Sequence, residues 1–170
     1  ASLWRLLVAQ AEGLGGGAYG MEALNVLRLE KGFLTHAEID GRVTAADLGL
    51  GRMVSAGKDC IGKVMAARPG LTETREELVG LRPIGGAMEL SAGAILFRAD
   101  DPASRELAQG RTTSACYSPT LGHPLALGLL LNGRARHGER IRLVDHMRGI
   151  ETFCEVCPPA FYDPEGGRMR

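Results

Sequence analysis

The stretch LALGLLL, residues 125–131, is the longest apolar run in this chain of 170 residues. It includes a glycine and is far too short to cross a bilayer as a helix, which needs about 20 apolar residues. Pro124 precedes the run and Gly133 follows it. A short apolar run between such residues is typical of a buried β-strand, so we begin from a strand here and extend the interpretation outward.

Five further runs of the same kind surround this stretch, with glycine or proline between them. Six short β-type runs within roughly 80 residues predict an antiparallel barrel or sandwich. The runs are ELVGLRPI (77–84), GAILFRA (93–99), GRTTSACYS (110–118), LALGLLL (125–131), ERIRLVDHM (139–147) and ETFCEVCP (151–158).

The N-terminal half instead mixes helical and extended pieces, so the fold class expected for the whole chain is α+β. A polar stretch at 71–77 lacks apolar periodicity and is interpreted as a linker between a first unit, residues 1–70, and a second, residues 78–170. The predicted elements of the first unit are helices at 2–12, 21–31 and 60–67 (the last capped by Asp59), a turn at Asp40-Gly41, a capping box at 44–47 and a short strand, GRMVS, at 51–55.

The helix within YGMEALNVLRLEKGF, residues 19–33, is apolar on nearly every side. A surface helix has one apolar and one polar face, so we expect this helix to pack between layers. Its only polar stripe is formed by Asn25 and Arg28. A buried guanidinium needs a partner; Arg28 is therefore predicted to pair with a backbone or carboxylate group, and whether the stripe also faces a ligand stays open.

Composition excludes several classes of function. The chain has 20 basic and 20 acidic residues and eight aromatic residues, so nothing favours binding to nucleic acid or to a membrane surface. Four cysteines do not predict a disulfide scaffold, which makes the reducing cytoplasm the expected compartment. The first helix carries Leu3, Trp4, Leu6 and Leu7 without an evident packing partner, and we therefore expect the chain to be a piece of a longer polypeptide.

Other reactive residues favour structural interpretations. Cys154 and Cys157 have the spacing of half a zinc site, but residues three apart in a strand point to opposite faces, so we expect buried thiols and no metal site, even with Cys116 and His146 considered. The remaining histidines, His36, His123 and His137, are scattered. The glycine-rich run GLGGGAYG (13–20) follows a predicted helix, whereas a phosphate-binding loop follows a strand. Three further charged residues are expected at a hairpin turn: Asp145, Arg148 and Glu151.

An ordered series of motifs resembles the C-terminal part of the α subunit of heterotetrameric sarcosine oxidase, within the superfamily of aminomethyltransferases that includes the glycine-cleavage T-protein. The resemblance covers essentially the whole chain. The motifs are EALNVLRLEKG (22–32), VTAADLGLG (43–51), KDCIG (58–62), LVGLRP (78–83), Thr113-Ser114, SPTLG (118–122) and FYDPEG (161–166).

This resemblance implies the end of a folate-binding α/β domain followed by a C-terminal six-stranded antiparallel β-barrel. It implies that the intact enzyme demethylates sarcosine oxidatively to glycine and passes the one-carbon unit to tetrahydrofolate as 5,10-methylenetetrahydrofolate. FMN, an FAD-type flavin and NAD are expected only in the intact complex, with the β, γ and δ subunits as partners. The piece alone is expected to lack catalytic residues and activity.

The resemblance also selects residues. In the family, one acid anchors or deprotonates the folate and a second carboxylate binds the pterin; both precede residue 1, so only part of the folate site is expected here. The T-protein arginine that contacts the folate tail falls on Leu24, which cannot replace it. Tyr162, Arg28 and Asn25 are predicted to lie in the folate region. Two alternatives stay open: a stand-alone aminomethyltransferase or dimethylglycine-type oxidase tail, and a non-catalytic module that docks subunits through an apolar patch.

Overall fold

A closed antiparallel barrel of six strands forms the C-terminal half of the computed structural model, which describes residues 1–55, 57–86 and 89–169. Neighbouring strands follow the order β1-β4-β3-β2-β5-β6, and β6 pairs with β1 to close the barrel. The six predicted strands are confirmed, and of the two predicted architectures the barrel is correct. The strands are β1 (Glu76–Pro83), β2 (Ile95–Arg98), β3 (Gly110–Ser118), β4 (His123–Leu131), β5 (Arg140–Asp145) and β6 (Ile150–Cys157).

Strand β4 is apolar without interruption because both of its faces are buried. Alternate residues of a strand point to opposite faces. Ala126 and Leu130 point into the barrel, whereas Leu125, Leu127 and Leu129 pack outside it in a second cluster with Leu29. The apolar run 125–131 therefore contributes side chains both to the barrel interior and to the second cluster outside it.

Helix α2 (Met21–Lys31) packs on the outside of the barrel. In the chain it follows α1 (Ser2–Gly13) and precedes the short α3 (Lys63–Ala66). The bounds predicted for α2 are confirmed, with Gly32 as a left-handed C-cap at φ 73°. The expectation that α2 packs between layers is wrong for the described residues. Leu29 is fully buried against the barrel, but Met21 is 80% exposed and Leu27 is 55% exposed, so α2 packs on one side only.

Two predictions in the N-terminal half are corrected. GRMVS is not a strand: residues Gly51–Met53 form a 3₁₀ turn, where glycine and methionine bring no β-branched side chain to fit a pleated sheet. The third helix is much shorter than residues 60–67, because it begins after Gly62, whose φ of 90° is incompatible with a helix, and not at Asp59.

Two turn predictions are confirmed. Chain reversal occurs at Asp40-Gly41, where Asp40 Oδ1 accepts a hydrogen bond from the Arg42 N–H at 2.8 Å. In the capping box, the Thr44 N–H donates to Asp47 Oδ2 at 2.7 Å and the Asp47 N–H donates to Thr44 Oγ1 at 3.3 Å. The Asp47 carbonyl accepts from the Leu78 N–H at 2.9 Å, so this turn is fastened directly to β1, which begins at Glu76, within the predicted linker.

Helix α1 presents its apolar side chains to solvent. None of its residues is buried, and Leu3, Trp4, Leu6 and Leu7 are each 57% exposed or more. Among the described residues, no helix combines the length and apolar character needed to cross a membrane.

Candidate functional site

A buried ion pair beneath α2 is the centre of the candidate site. Arg28 Nη1 donates to Glu38 Oε2 at 3.1 Å, with the two side chains 11% and 0% exposed. The Arg28 Nη2 group donates to Ser114 Oγ at 2.6 Å. The expected carboxylate partner of Arg28 is therefore present, and it lies in the loop that follows α2.

A β-bulge in β3 completes the environment of Glu38. Consecutive strand residues normally point to opposite faces, but the pairing of β3 with β4 shifts register between Thr112 and Ser114. The extra residue lets Thr113 Oγ1 and Ser114 Oγ both donate to Glu38 Oε1, at 2.8 and 2.6 Å. Bulges commonly redirect side chains in this way, and this one brings two hydroxyl groups to a single carboxylate oxygen.

Glu38 is held in its ionised form. Burial alone would raise its pKa, but the hydrogen bonds from Ser114, Thr35 and Thr113 lower it. The positive charge of Arg28 acts in the same direction, so the pKa of Glu38 lies below its ordinary value. A carboxylate that accepts several hydrogen bonds beside a guanidinium remains charged at neutral pH, which makes Glu38 a fixed anchor and a poor general acid.

Asn25 joins this cluster to a cleft. Arg28 Nε donates to Asn25 Oδ1 at 2.9 Å. Both residues line a cleft of about 430 Å³ whose wall is mostly apolar. The lining residues are Met21, Leu24, Asn25, Arg28, Thr35, His36 and Ala37. The structure therefore brings together two of the three predicted site residues, and it places Leu24 beside them.

Tyr162 lies at the other end of α2. Its N–H donates to the carbonyl of Glu30 at 2.8 Å, and the guanidinium of Arg168 lies 5.3 Å from the centre of its ring. It does not belong to the set of described residues that lines the cleft. A ligand contact by Tyr162 would thus occur at a separate position, and its role stays a prediction.

Residues 29–32 each contact either the barrel or the segment that follows β6. Leu29 is buried in the cluster on β4. Glu30 Oε1 accepts from Ser118 Oγ at 2.5 Å, and Lys31 Nζ donates to Asp163 Oδ2 at 3.0 Å. A Cβ added to Gly32 would lie 2.6 Å from the Pro159 carbonyl oxygen. With Arg28, the whole RLEKG motif (28–32) is thus accounted for by contacts within the protein.

The cysteine motif has no geometry for metal binding in the described residues. Cys154 and Cys157 are buried free thiols, and burial raises their pKa values to about 12 and about 11. Burial also raises the pKa of Cys116 to about 11. These thiols stay protonated and unreactive at neutral pH. No group of three potential histidine, cysteine or carboxylate ligands occurs in the ranges that the structure describes.

Other candidates have structural surroundings. Asp145 forms the predicted hairpin turn between β5 and β6, accepting from the Met147 and Arg148 N–H groups at 2.9 and 3.1 Å. His36 lines the cleft, whereas His137 and His146 are exposed. The glycine-rich run at 13–20 follows α1, with Gly15 at φ 78°, and no strand leads into it.

Glu38 is the residue of this site that sequence reasoning did not identify. The requirement for a carboxylate near Arg28 was evident, but the chain has 20 acidic residues. A partial signal was the run of hydroxyl residues at 112–114, because buried hydroxyl groups need hydrogen-bond partners, but this run does not indicate which acid is the partner.

Two protein-family models match the chain. Residues 1–58 match the GCVT N-terminal domain, and residues 77–163 match the glycine cleavage T-protein C-terminal barrel domain. The second match covers half of the chain and coincides with the observed barrel.

Individual relatives agree with these models. The chain is 44% identical to the sarcosine oxidase subunit alpha of Rhizobium meliloti over 153 residues, 89% of this chain but 16% of that protein. It is 30% identical to the aminomethyltransferase of Saccharopolyspora erythraea over 95% of this chain and 42% of that protein. The chain thus spans a small part of the first and under half of the second.

A solved structure has the same fold. It is the crystal structure of the glycine cleavage system aminomethyltransferase T from Bartonella henselae, with a TM-score of 0.63 and 24% sequence identity over 85% of this chain and 39% of that one. Barrel topology, fold likeness and the match of residues 77–163 agree, and the chain belongs to the glycine cleavage T-protein family through this C-terminal barrel domain.

Proposed function

We propose that this chain is the C-terminal part of a sarcosine oxidase α subunit. The observation that carries the proposal is the difference in identity between two kinds of relative: 44% to a sarcosine oxidase subunit against 30% to an aminomethyltransferase, over similar shares of this chain. The enzyme that contains it would oxidise sarcosine to glycine and pass the one-carbon unit to tetrahydrofolate as 5,10-methylenetetrahydrofolate. Its partners would be the β, γ and δ subunits, in the cytoplasm.

The composition of one cleft supports the proposal of a partial folate site. The cleft at Asn25 and Arg28 has an apolar wall and one polar edge, which is the usual composition of a small-molecule pocket. Bound tetrahydrofolate would supply the two nitrogen atoms that accept the one-carbon unit. The residues of this chain would hold and orient the folate and keep water from it. Flavin and NAD would be held by other parts of the enzyme.

A docking function is the second candidate, and one observation favours it. An interaction module should show an apolar patch, and α1 exposes Leu3, Trp4, Leu6 and Leu7. The outer surface of the barrel differs, since exposed positions of its strands carry charges such as Arg98 and Arg140. Among the described strand residues, Tyr117 on β3 is the large apolar side chain that is exposed, whereas α1 alone exposes four, so the patch lies on α1. It is compatible with the enzyme proposal, in which neighbouring parts of the enzyme would cover α1.

The experiment uses the full-length subunit that carries this sequence, assembled with its partners. Calorimetric titration with tetrahydrofolate should give saturable binding, and sarcosine should reduce the bound flavin under anaerobic conditions. A stand-alone aminomethyltransferase would bind folate but would not oxidise sarcosine. Absence of folate binding by the assembled enzyme would contradict the proposal and leave the docking function.

The same titration tests Tyr162. If its ring packs on the folate, Tyr162→Ala should weaken binding about tenfold, which corresponds to about 1.4 kcal/mol and is typical of one lost aromatic contact. The matched control is Tyr117→Ala, because Tyr117 is 47% exposed on β3 and should leave the affinity unchanged. Equal affinity in both variants would remove Tyr162 from the site.

A further inference from the structure

The orientation of the Asn25 amide is determined by its neighbour. A guanidinium has only hydrogen-bond donors. Since Arg28 Nε lies 2.9 Å from the Asn25 side chain, the atom facing it must be the amide oxygen. The Asn25 NH₂ group therefore points away from Arg28, and it donates to no other group in the described part of the chain.

Asn25 is an exposed residue at the polar edge of this mostly apolar cleft. Asn25 lines the cleft together with Met21, Leu24 and Ala37, which offer no side-chain hydrogen bonds. The charge of Arg28 is already matched by Glu38 at 3.1 Å. A molecule in this cleft would therefore meet a neutral donor from Asn25 and not a free positive charge from Arg28.

The position of this donor depends on a residue outside the cleft. Glu38 is fully buried and does not line the cleft. It holds Arg28 through the ion pair and, with Ser114, fixes two edges of the guanidinium. The third edge, Nε, is then directed at Asn25. Glu38 therefore acts on Asn25 indirectly, because Glu38 contacts Arg28 and Arg28 contacts Asn25.

We propose that Asn25 is a ligand-facing hydrogen-bond donor for an acceptor oxygen, and that Glu38 is a positioning residue that acts through Arg28. The inference rests on the proposed function, because it assigns roles within the same folate site. A folate offers acceptor oxygens at two places, the carbonyl of the pterin ring and the carboxylates of the glutamyl tail. Either oxygen satisfies the same donor.

The first experiment reverses the polarity of residue 25 in the assembled full-length enzyme. Asn25→Ala removes the donor and should weaken tetrahydrofolate binding about fivefold, the effect of one neutral hydrogen bond. Asn25→Asp has nearly the same shape and still accepts from Arg28, but it turns a charged oxygen toward the ligand oxygen. Its affinity should be about fiftyfold below that of the wild type, because like-charged or like-acceptor groups repel.

The chain contains a matched control for this change. Asn132 is its only other asparagine; it is exposed and has a φ of 51°, which aspartate also tolerates. Asn132→Asp should leave folate affinity unchanged. Wild-type affinity in Asn25→Asp would overturn the donor role while leaving the proposed function standing. Failure of the wild-type enzyme to bind folate would instead contradict the proposed function itself.

The second experiment tests whether Glu38 acts through Asn25. Glu38→Gln should weaken folate binding about threefold in the wild-type background, and it should have no further effect when Asn25 is already alanine. A purely structural role would lower affinity in both backgrounds, and that result would overturn the positioning role. If the Glu38→Gln variant does not fold, Ser114→Ala takes its place in both backgrounds. Glu106→Gln, at an exposed position, is the control for loss of a negative charge.

A third comparison identifies the ligand oxygen. Tetrahydropteroate contains the pterin but no glutamyl tail. If Asn25→Asp weakens both ligands equally, the partner is the pterin carbonyl. A loss seen only with tetrahydrofolate identifies the tail carboxylates. Both results support the donor role, whereas an unchanged affinity of the variant for both ligands contradicts it.

Discussion

Arg28 and Glu38 stabilise the protein only as a pair. Moving either charge out of water is costly, and their mutual attraction offsets that cost when further hydrogen bonds satisfy both groups. Here Glu38 accepts from Ser114 and Thr113 in addition to Arg28. Removing one partner would therefore leave a buried charge without its counterion, which is among the few single changes with a large energetic effect.

Arg28→Met should lower the free energy of unfolding by about 3 kcal/mol, since it leaves the Glu38 carboxylate buried and unpaired. Methionine retains much of the volume of the arginine stem, so the loss reports the missing charge. Arg42→Met is the matched control: Arg42 pairs with Asp40, but its side chain is 74% exposed, and exposed pairs contribute about 0–1 kcal/mol. Denaturant unfolding measures both. Equal losses would show that the Arg28 pair is no more important than a surface contact.

Helix α2 is held on the barrel by consecutive residues at its C-terminal end. Glu30 reaches Ser118 at the end of β3, and Lys31 reaches Asp163 in the segment after β6. The carbonyl of Glu30 also accepts from the Phe161 and Tyr162 N–H groups. The helix therefore ends where the C-terminal segment crosses it, and little room is left for side chains at the crossing.

Gly32→Ala should destabilise the protein by about 3 kcal/mol or more, for two reasons. The φ of 73° strains any residue with a Cβ, by about 1–2 kcal/mol, and the new Cβ would lie 2.6 Å from the carbonyl oxygen of Pro159. Gly122 has the same φ of 73° with no atom within 4 Å of its Cβ position. Gly122→Ala thus measures the strain alone. Thermal unfolding of both variants should show the larger loss at Gly32, and the reverse order would refute the close crossing.

The elements that could be predicted from the sequence are those whose signals are local. The bounds of α2 follow from its glycine C-cap, and β4 follows from an apolar run between proline and glycine. The candidate site is different because it depends on a bulge between Thr112 and Ser114, which brings Thr113 and Ser114 together on Glu38. Register shifts are set by the pairing of distant strands, and no local pattern in GRTTSACYS identifies one.

At the scale of the whole molecule, the described chain combines closed hydrophobic cores with apolar side chains that are left exposed. The barrel interior and the cluster beneath α2 are both closed cores. In contrast, Trp4 and Leu7 on α1 and Leu27 on α2 are each more than half exposed. A group of exposed apolar side chains such as the one on α1 is typical of a surface that contacts another protein, as the proposed α subunit would provide.

Hydrogen exchange should reveal this difference between α1 and the barrel. In the 170-residue chain, α1 has no buried residue to hold it, so its amides should exchange at least roughly 1,000-fold faster than those of β4, which open only when the barrel unfolds. In the full-length subunit, a covering surface should slow exchange in α1 and leave β4 unchanged. The replacement of Leu7 by Lys should then reverse the slowing without affecting the barrel. Fast exchange in α1 in both proteins would mean that its apolar face has no partner within the subunit, and would assign that face to another chain.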